Sequence, residues 1–86
     1  MRLNVNVFDP YNQTNTFDKV YDIPAYPTDE QSQWYWAQRV RADMPISVRI
    51  TWGDMDFLMD MFAEFARTQH GCRIGWLTCT DVTNWG

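Results

Sequence analysis

Histidine occurs once in this sequence, as His70, and cysteine twice, as Cys72 and Cys79. A Ser/His/Asp or Cys/His device needs a base held beside a nucleophile. The single histidine instead falls at a predicted helix end, where the helix dipole accounts for it. His70, Cys72, Cys79 and Asp81 lack the paired CxxC spacing of a zinc site. The four glycines, Gly53, Gly71, Gly75 and Gly86, are scattered and build no phosphate-cradling loop. No catalytic residues, no metal and no cofactor are therefore expected, and the chain does not read as an enzyme.

Long apolar runs are also missing, which argues against a membrane-spanning segment. Residues 1–7 alternate polar and apolar side chains instead of building the apolar block of a signal peptide, so a cytoplasmic protein is expected. Basic side chains are few. Seven Lys and Arg stand against 11 Asp and Glu, for a net charge of -4, which disfavours direct nucleic-acid binding and favours a basic partner surface. Cys72 and Cys79 would lie on opposite faces and roughly 23 Å apart in one continuous strand. Two reduced, partly buried thiols are expected, since a bridge would need an intervening turn, for which Gly75 is the place.

What is present is a chain able to fold. Of 86 residues, 45% are hydrophobic and 16% aromatic, enough for one small domain spanning residues 1–86 but not for two. Residues 3–8 alternate, with Leu3, Val5 and Val7 on one face and Asn4 and Asn6 on the other, as in a half-exposed strand. Residues 9–15 are rich in turn formers, and residues 17–23 read as a second strand hairpin-paired to the first. Thr28 and Gln31 fit a capping box for a helix running to about Asp43, where Pro45 disfavours further helix at Met44. Its apolar arc is Trp34, Trp36, Ala37, Val40 and Met44. Residues 46–52 alternate cleanly, placing Ile46, Val48, Ile50 and Trp52 inward as a third strand. Residues 72–80 read as a last strand of unassigned inward face, followed by a short tail. The resulting order β-β-α-β-α-β predicts an α+β two-layer sandwich, a largely antiparallel four-stranded sheet with two helices on one face.

The most informative segment runs from Asp54 to about Gln69. At about 100° per residue, Asp56, Asp60, Glu64 and Arg67 share one helix face, while Phe57, Leu58, Met61, Phe62 and Phe65 share the opposite one. Asp54 and Asp56 sit at the positive end of the dipole, and Gly71 is expected to supply the left-handed stop. Phe57, Met61, Phe62 and Phe65 should be buried and Asp56, Asp60 and Glu64 exposed. Acids at i and i+4 rise about 6 Å per step, a coarse imitation of B-DNA phosphates at about 3.4 Å of axis per strand.

Five tryptophans, five phenylalanines and four tyrosines are many for so small a core. Tyr11, Tyr26, Tyr35, Trp76 and Trp85 have no evident inward place, and exposed Tyr and Trp are frequent interface anchors. The candidate partner-binding residues are therefore Asp54, Asp56, Asp60, Glu64, Tyr35 and Trp76.

The compact α/β chain, the acidic face of Asp54, Asp56, Asp60 and Glu64, the abundant aromatics and the missing catalytic set together resemble the small acidic inhibitors of phages and mobile elements. These include the anti-CRISPR and anti-restriction types. The resemblance covers the chain as a type and rests on no specific motif. It implies a non-enzymatic protein-binding inhibitor or adaptor that occludes a basic host protein, such as a nucleic-acid-binding complex, with no cofactor. Two alternatives stay open. One is a small structural or oligomerising domain, a homodimer included, whose acids only solubilise it. The other is a single-stranded nucleic-acid binder using Arg39, Arg41, Arg49 and Arg73 with aromatics on a sheet face.

The poor ligand and cysteine spacing predicts that folding needs neither metal nor disulfide. Protein kept reduced throughout should fold and melt cooperatively with or without chelator; failure to fold in reductant, or a fall of many degrees with chelator, would overturn this.

Overall fold

The computed structural model describes residues 1–84. Seven elements follow in order: β1 (Arg2–Asp9), β2 (Thr14–Asp22), α1 (Glu30–Asp43), α2 (Ile46–Trp52), α3 (Met55–Thr68), β3 (Gly71–Ile74) and β4 (Leu77–Asp81). The α+β class and the four-stranded antiparallel sheet are as the patterning predicts. The order of elements is not, and the strands lie in the order β2-β1-β4-β3.

β1 is the spine of the sheet because its alternation leaves one face wholly apolar. Leu3, Val5 and Val7 are buried under the helices, whereas Asn4 and Asn6 lie on the open face. Val5 is paired with Lys19 on β2 and with Cys79 on β4. A bulge follows Val7, where the Thr16 hydroxyl donates to the Val7 carbonyl at 3.1 Å. The β1–β2 turn is held by Asp9, whose carboxylate accepts from the Tyr11 amide at 2.9 Å and the Asn12 side chain at 2.8 Å.

α1 ends at Asp43 as predicted, but its N-cap is Asp29, one residue beyond the expected Thr28. The Asp29 carboxylate accepts from the Ser32 amide at 3.1 Å, and Gln33, not Gln31, reaches back, to the Pro27 carbonyl. Ala37, Val40 and Met44 enter the core, Trp36 is half-buried, and Trp34 is left exposed. Asp43 ties α1 to β2 by accepting from Lys19 Nζ at 3.0 Å and from the Tyr21 hydroxyl at 2.8 Å. Those two donors hold its carboxyl below the usual range, and burial, with the Asp43 charge, pushes Tyr21 up.

The expected third strand, residues 46–52, is helix α2, so three helices cover the sheet instead of two. Two arginines explain the outcome. Arg49 caps the end of α1, donating to the carbonyls of Arg41 at 3.1 Å and Met44 at 3.0 Å, and Arg41 donates to the Gly53 carbonyl at the end of α2 at 3.1 Å. Each helix end thus has its free carbonyls met by a cation from the other. Helical winding buries Val48, half-buries Trp52 one turn on, and turns Ile46 and Ile50 to solvent at 68% and 79% exposure.

α3 closes the layer. Leu58, Met61, Phe62 and Phe65 are completely buried, each contributing about 1.5–3 kcal/mol of burial. Phe57 departs from expectation at 41% exposure, because it lies in the first turn and meets Trp52 instead of the sheet. The helix stops at Gln69, which takes the left-handed conformation (φ 62°) expected of Gly71, its amide donating to the Phe65 carbonyl. Gly71 instead begins β3, where a Cβ would come within 2.5 Å of the Cys79 carbonyl oxygen.

The single last strand expected over 72–80 is a hairpin, β3 and β4, joined at Gly75 and Trp76. Gly75 has φ +59°, a conformation that side chains with a Cβ resist, and a Cβ there would lie 2.5 Å from the Trp52 ring. This turn places Cys72 directly opposite Cys79, not the length of a strand away.

The helical assignment of α2 makes a sharp prediction. Val48→Ala should cost about 2 kcal/mol, whereas Ile50→Ala should stay within about 0.5 kcal/mol. Equal losses in urea unfolding would favour a strand with both residues inward.

Candidate functional site

The predicted site residues divide by what the fold already asks of them. Asp54 is the N-cap of α3, its carboxylate accepting from the Asp56 amide at 2.8 Å. Glu64, expected to be exposed, is half-buried because it pairs with Arg67, which also donates through Nε at 3.2 Å; that pairing holds Glu64 below the usual carboxylate range. Asp56 and Asp60 are exposed and, among the described residues, enter no ion pair.

Aromatic surface gathers on two sides of the first turn of α3. On one side Phe57 packs at 6.4 Å against Trp52, and the Trp52 ring covers Gly75 of the hairpin turn. Trp76 follows, 39% exposed, with Phe8 at 6.2 Å and the Arg73 guanidinium over its ring at 4.8 Å. Phe8, Tyr11, Val48, Trp52 and Trp76 line a cleft of about 400 Å³ between this turn and α2. On the other side a groove of about 520 Å³ runs between α1 and α3, lined by Trp34, Tyr35, Arg39 and Met55 among others. Tyr35 is 51% exposed, its hydroxyl accepting from Arg39 at 3.1 Å.

Tyr35 and Trp76, far apart in sequence, are thus each connected to the start of α3, the first through Met55 and the second through Trp52 and Phe57. Phe8, Trp52 and Phe57 are the residues that sequence reasoning missed. Periodicity places Phe57 and Trp52 inward, whereas in the structure they pack on each other, with Trp52 half-buried against the core and Phe57 half-exposed. Of the other aromatics without an evident place, Tyr11 is 95% exposed and Tyr26 packs on Phe65 at 5.4 Å. Trp85 lies outside the described residues.

The arginines do not form the array expected on the sheet. Arg39 and Arg41 belong to α1 and Arg49 to α2, and the last two are engaged on backbone carbonyls; Arg73 alone of the four is on a strand. Among the described residues no three His, Cys, Asp or Glu side chains converge as a metal site requires. What the surface offers chemically is negative charge beside apolar rings.

The class defined here is a small α+β domain with one open sheet face and an acidic, aromatic-flanked helix start. No protein-family model, curated protein or solved structure matches the chain.

The division between structural and unengaged acids is measurable. Asp54→Ala should cost about 1 kcal/mol through loss of the cap, and Asp60→Asn less than about 0.5 kcal/mol. Urea denaturation of the two variants checks it; the reverse ranking would make Asp60 a structural residue.

Proposed function

We propose that this protein is a non-enzymatic binding module, an inhibitor or adaptor of the small acidic phage or mobile-element type, that docks the start of α3 on a basic partner protein. A surface built to bind nucleic acid is the natural basic partner, since carboxylates one turn apart offer it the sign of charge it accepts. The observation carrying this reading is the placement of Asp56 and Asp60, exposed and without ion pairs among the described residues, beside the half-exposed Phe57 in the first turns of α3. Exposed charges speed encounter, while an apolar anchor beside them slows departure. Asp54 and Glu64 are assigned supporting parts, the first fixing the helix start and the second fixed by Arg67.

A second reading is favoured by one specific observation. Ile46 and Ile50 lie one turn apart on α2 at 68% and 79% exposure, an apolar ridge suited to self-association of a structural domain.

Immobilised wild-type protein and Asp56→Asn/Asp60→Asn protein should be compared for capture of host proteins at low and high salt, followed by rate measurements on the captured partner. The double variant should retain its thermal midpoint and lose about tenfold in association rate, with a shallower salt slope. Phe57→Ala should act mainly by raising the dissociation rate. Unchanged rates and salt slope in the double variant would reduce the acids to a solubilising surface. In that case a concentration-dependent sedimentation coefficient, abolished by Ile50→Asp, would establish the second reading.

A further inference from the structure

The β3–β4 hairpin brings the chain's two cysteines together as cross-strand neighbours. Cys72 and Cys79 are direct cross-strand partners, and both belong to the face of the sheet that carries the core. Cys79 is completely buried beside Val5, and Cys72 is half-buried, its thiol donating to the Met61 carbonyl of α3 at 3.0 Å. Directly opposed residues of an antiparallel pair have Cα atoms about 4.5–5.5 Å apart, inside the roughly 4.4–6.8 Å range that a disulfide spans. Cβ atoms of directly opposed residues lie about 4.5–5.5 Å apart, so an approach of roughly 1–2 Å reaches bonding geometry. β3 is a four-residue edge strand, the element of the sheet best able to make that adjustment.

We propose that Cys72 and Cys79 form a reversible thiol–disulfide site that takes a small-molecule disulfide, of which oxidised glutathione is the type, as its oxidant. Cys72 is the attacking thiol because it is the one solvent can reach. The neighbouring Cys79 thiol lowers the Cys72 thiol below the usual range, whereas burial pushes Cys79 up. The Cys72 thiolate attacks one sulfur of oxidised glutathione, forming a mixed disulfide and expelling one glutathione thiolate. Cys79 then gives up its proton and attacks the Cys72 sulfur, breaking the mixed disulfide and expelling the second glutathione. Two protein thiols and one glutathione disulfide become one protein disulfide and two reduced glutathiones, the thiol protons ending on the glutathiones. The product is a hairpin cross-linked behind the turn that carries Trp76, with the Met61 carbonyl released by Cys72.

Folded, reduced protein should be incubated with buffers of graded reduced-to-oxidised glutathione ratio, quenched by alkylation and weighed intact. Wild-type protein is expected to lose the mass of two hydrogens and both alkylation sites, to remain monomeric, and to recover both thiols on reduction. Oxidised protein should melt several degrees above reduced protein. Cys79→Ser should stop at the mixed disulfide and accumulate one glutathione on Cys72. Wild-type protein that accumulates the glutathione adduct, cross-links between chains, or forms the internal bridge only in denaturant would overturn the proposal. The wild-type masses decide the matter even if Cys79→Ser fails to fold.

Discussion

The structure depends on one shared core, into which β1 and α3 both turn their apolar faces. Leu3, Val5 and Val7 bring one wall, and Leu58, Met61, Phe62 and Phe65 the other, with Leu77 and Cys79 on β4 joining them. In a chain of this length there is no second core to compensate for its loss. Every other element is positioned by reference to it: β2 and β4 flank β1, the β3–β4 hairpin lies beside α3, and α1 closes over the remaining edge through Tyr21 and Asp43. The candidate surface at the start of α3 takes its location from the same core. In the first turn of α3, Leu58 enters the core, Phe57 packs on Trp52, and Asp56, with Asp60 one turn on, faces solvent.

The chain uses its acidity in two ways. Asp9, Asp29, Asp54 and Asp81 hold backbone amides at turns and helix starts, and Asp43 and Glu64 hold cations or a phenol. These carboxylates are part of the architecture. Asp56 and Asp60 are outside it, as are Asp22 and Glu30 elsewhere on the surface. A net charge of -4 by itself therefore says little about function, while two unengaged acids one turn apart on α3 say more. The arginines follow the same division. Arg41 and Arg49 complete helix ends, and Arg39 and Arg73 lie over aromatic rings.

Mutual capping of α1 and α2 has a consequence for how the two clefts are built. Because the arginines lock the end of α1 to the end of α2, Trp52 is delivered to Gly75 and Met55 to the groove beside Tyr35. The aromatic surface on either side of α3 is therefore a product of the α1–α2 junction as much as of α3 itself. Removal of either arginine would loosen both sides together.

Long periodic segments were legible from the sequence alone. Fourteen residues of α3 and eight of β1 repeat their pattern often enough that only one backbone geometry puts the apolar side chains together. The hairpin of β1 and β2 and the end of α1 before Pro45 were legible for the same reason, local chemistry agreeing with pattern. Seven residues at 46–52 were not, since Val48 and Trp52 share a face in a strand and also lie one turn apart in a helix. The choice between them rests on Arg41 and Arg49 meeting carbonyls that exist only once both helices are formed. Likewise, nothing local revealed that Gly75 would turn the chain under Trp52. Side-chain period and capping chemistry act over a few residues and are written in the sequence; the pairing of Cys72 with Cys79, and of Phe57 with Trp52, is decided by which surfaces the core leaves adjacent.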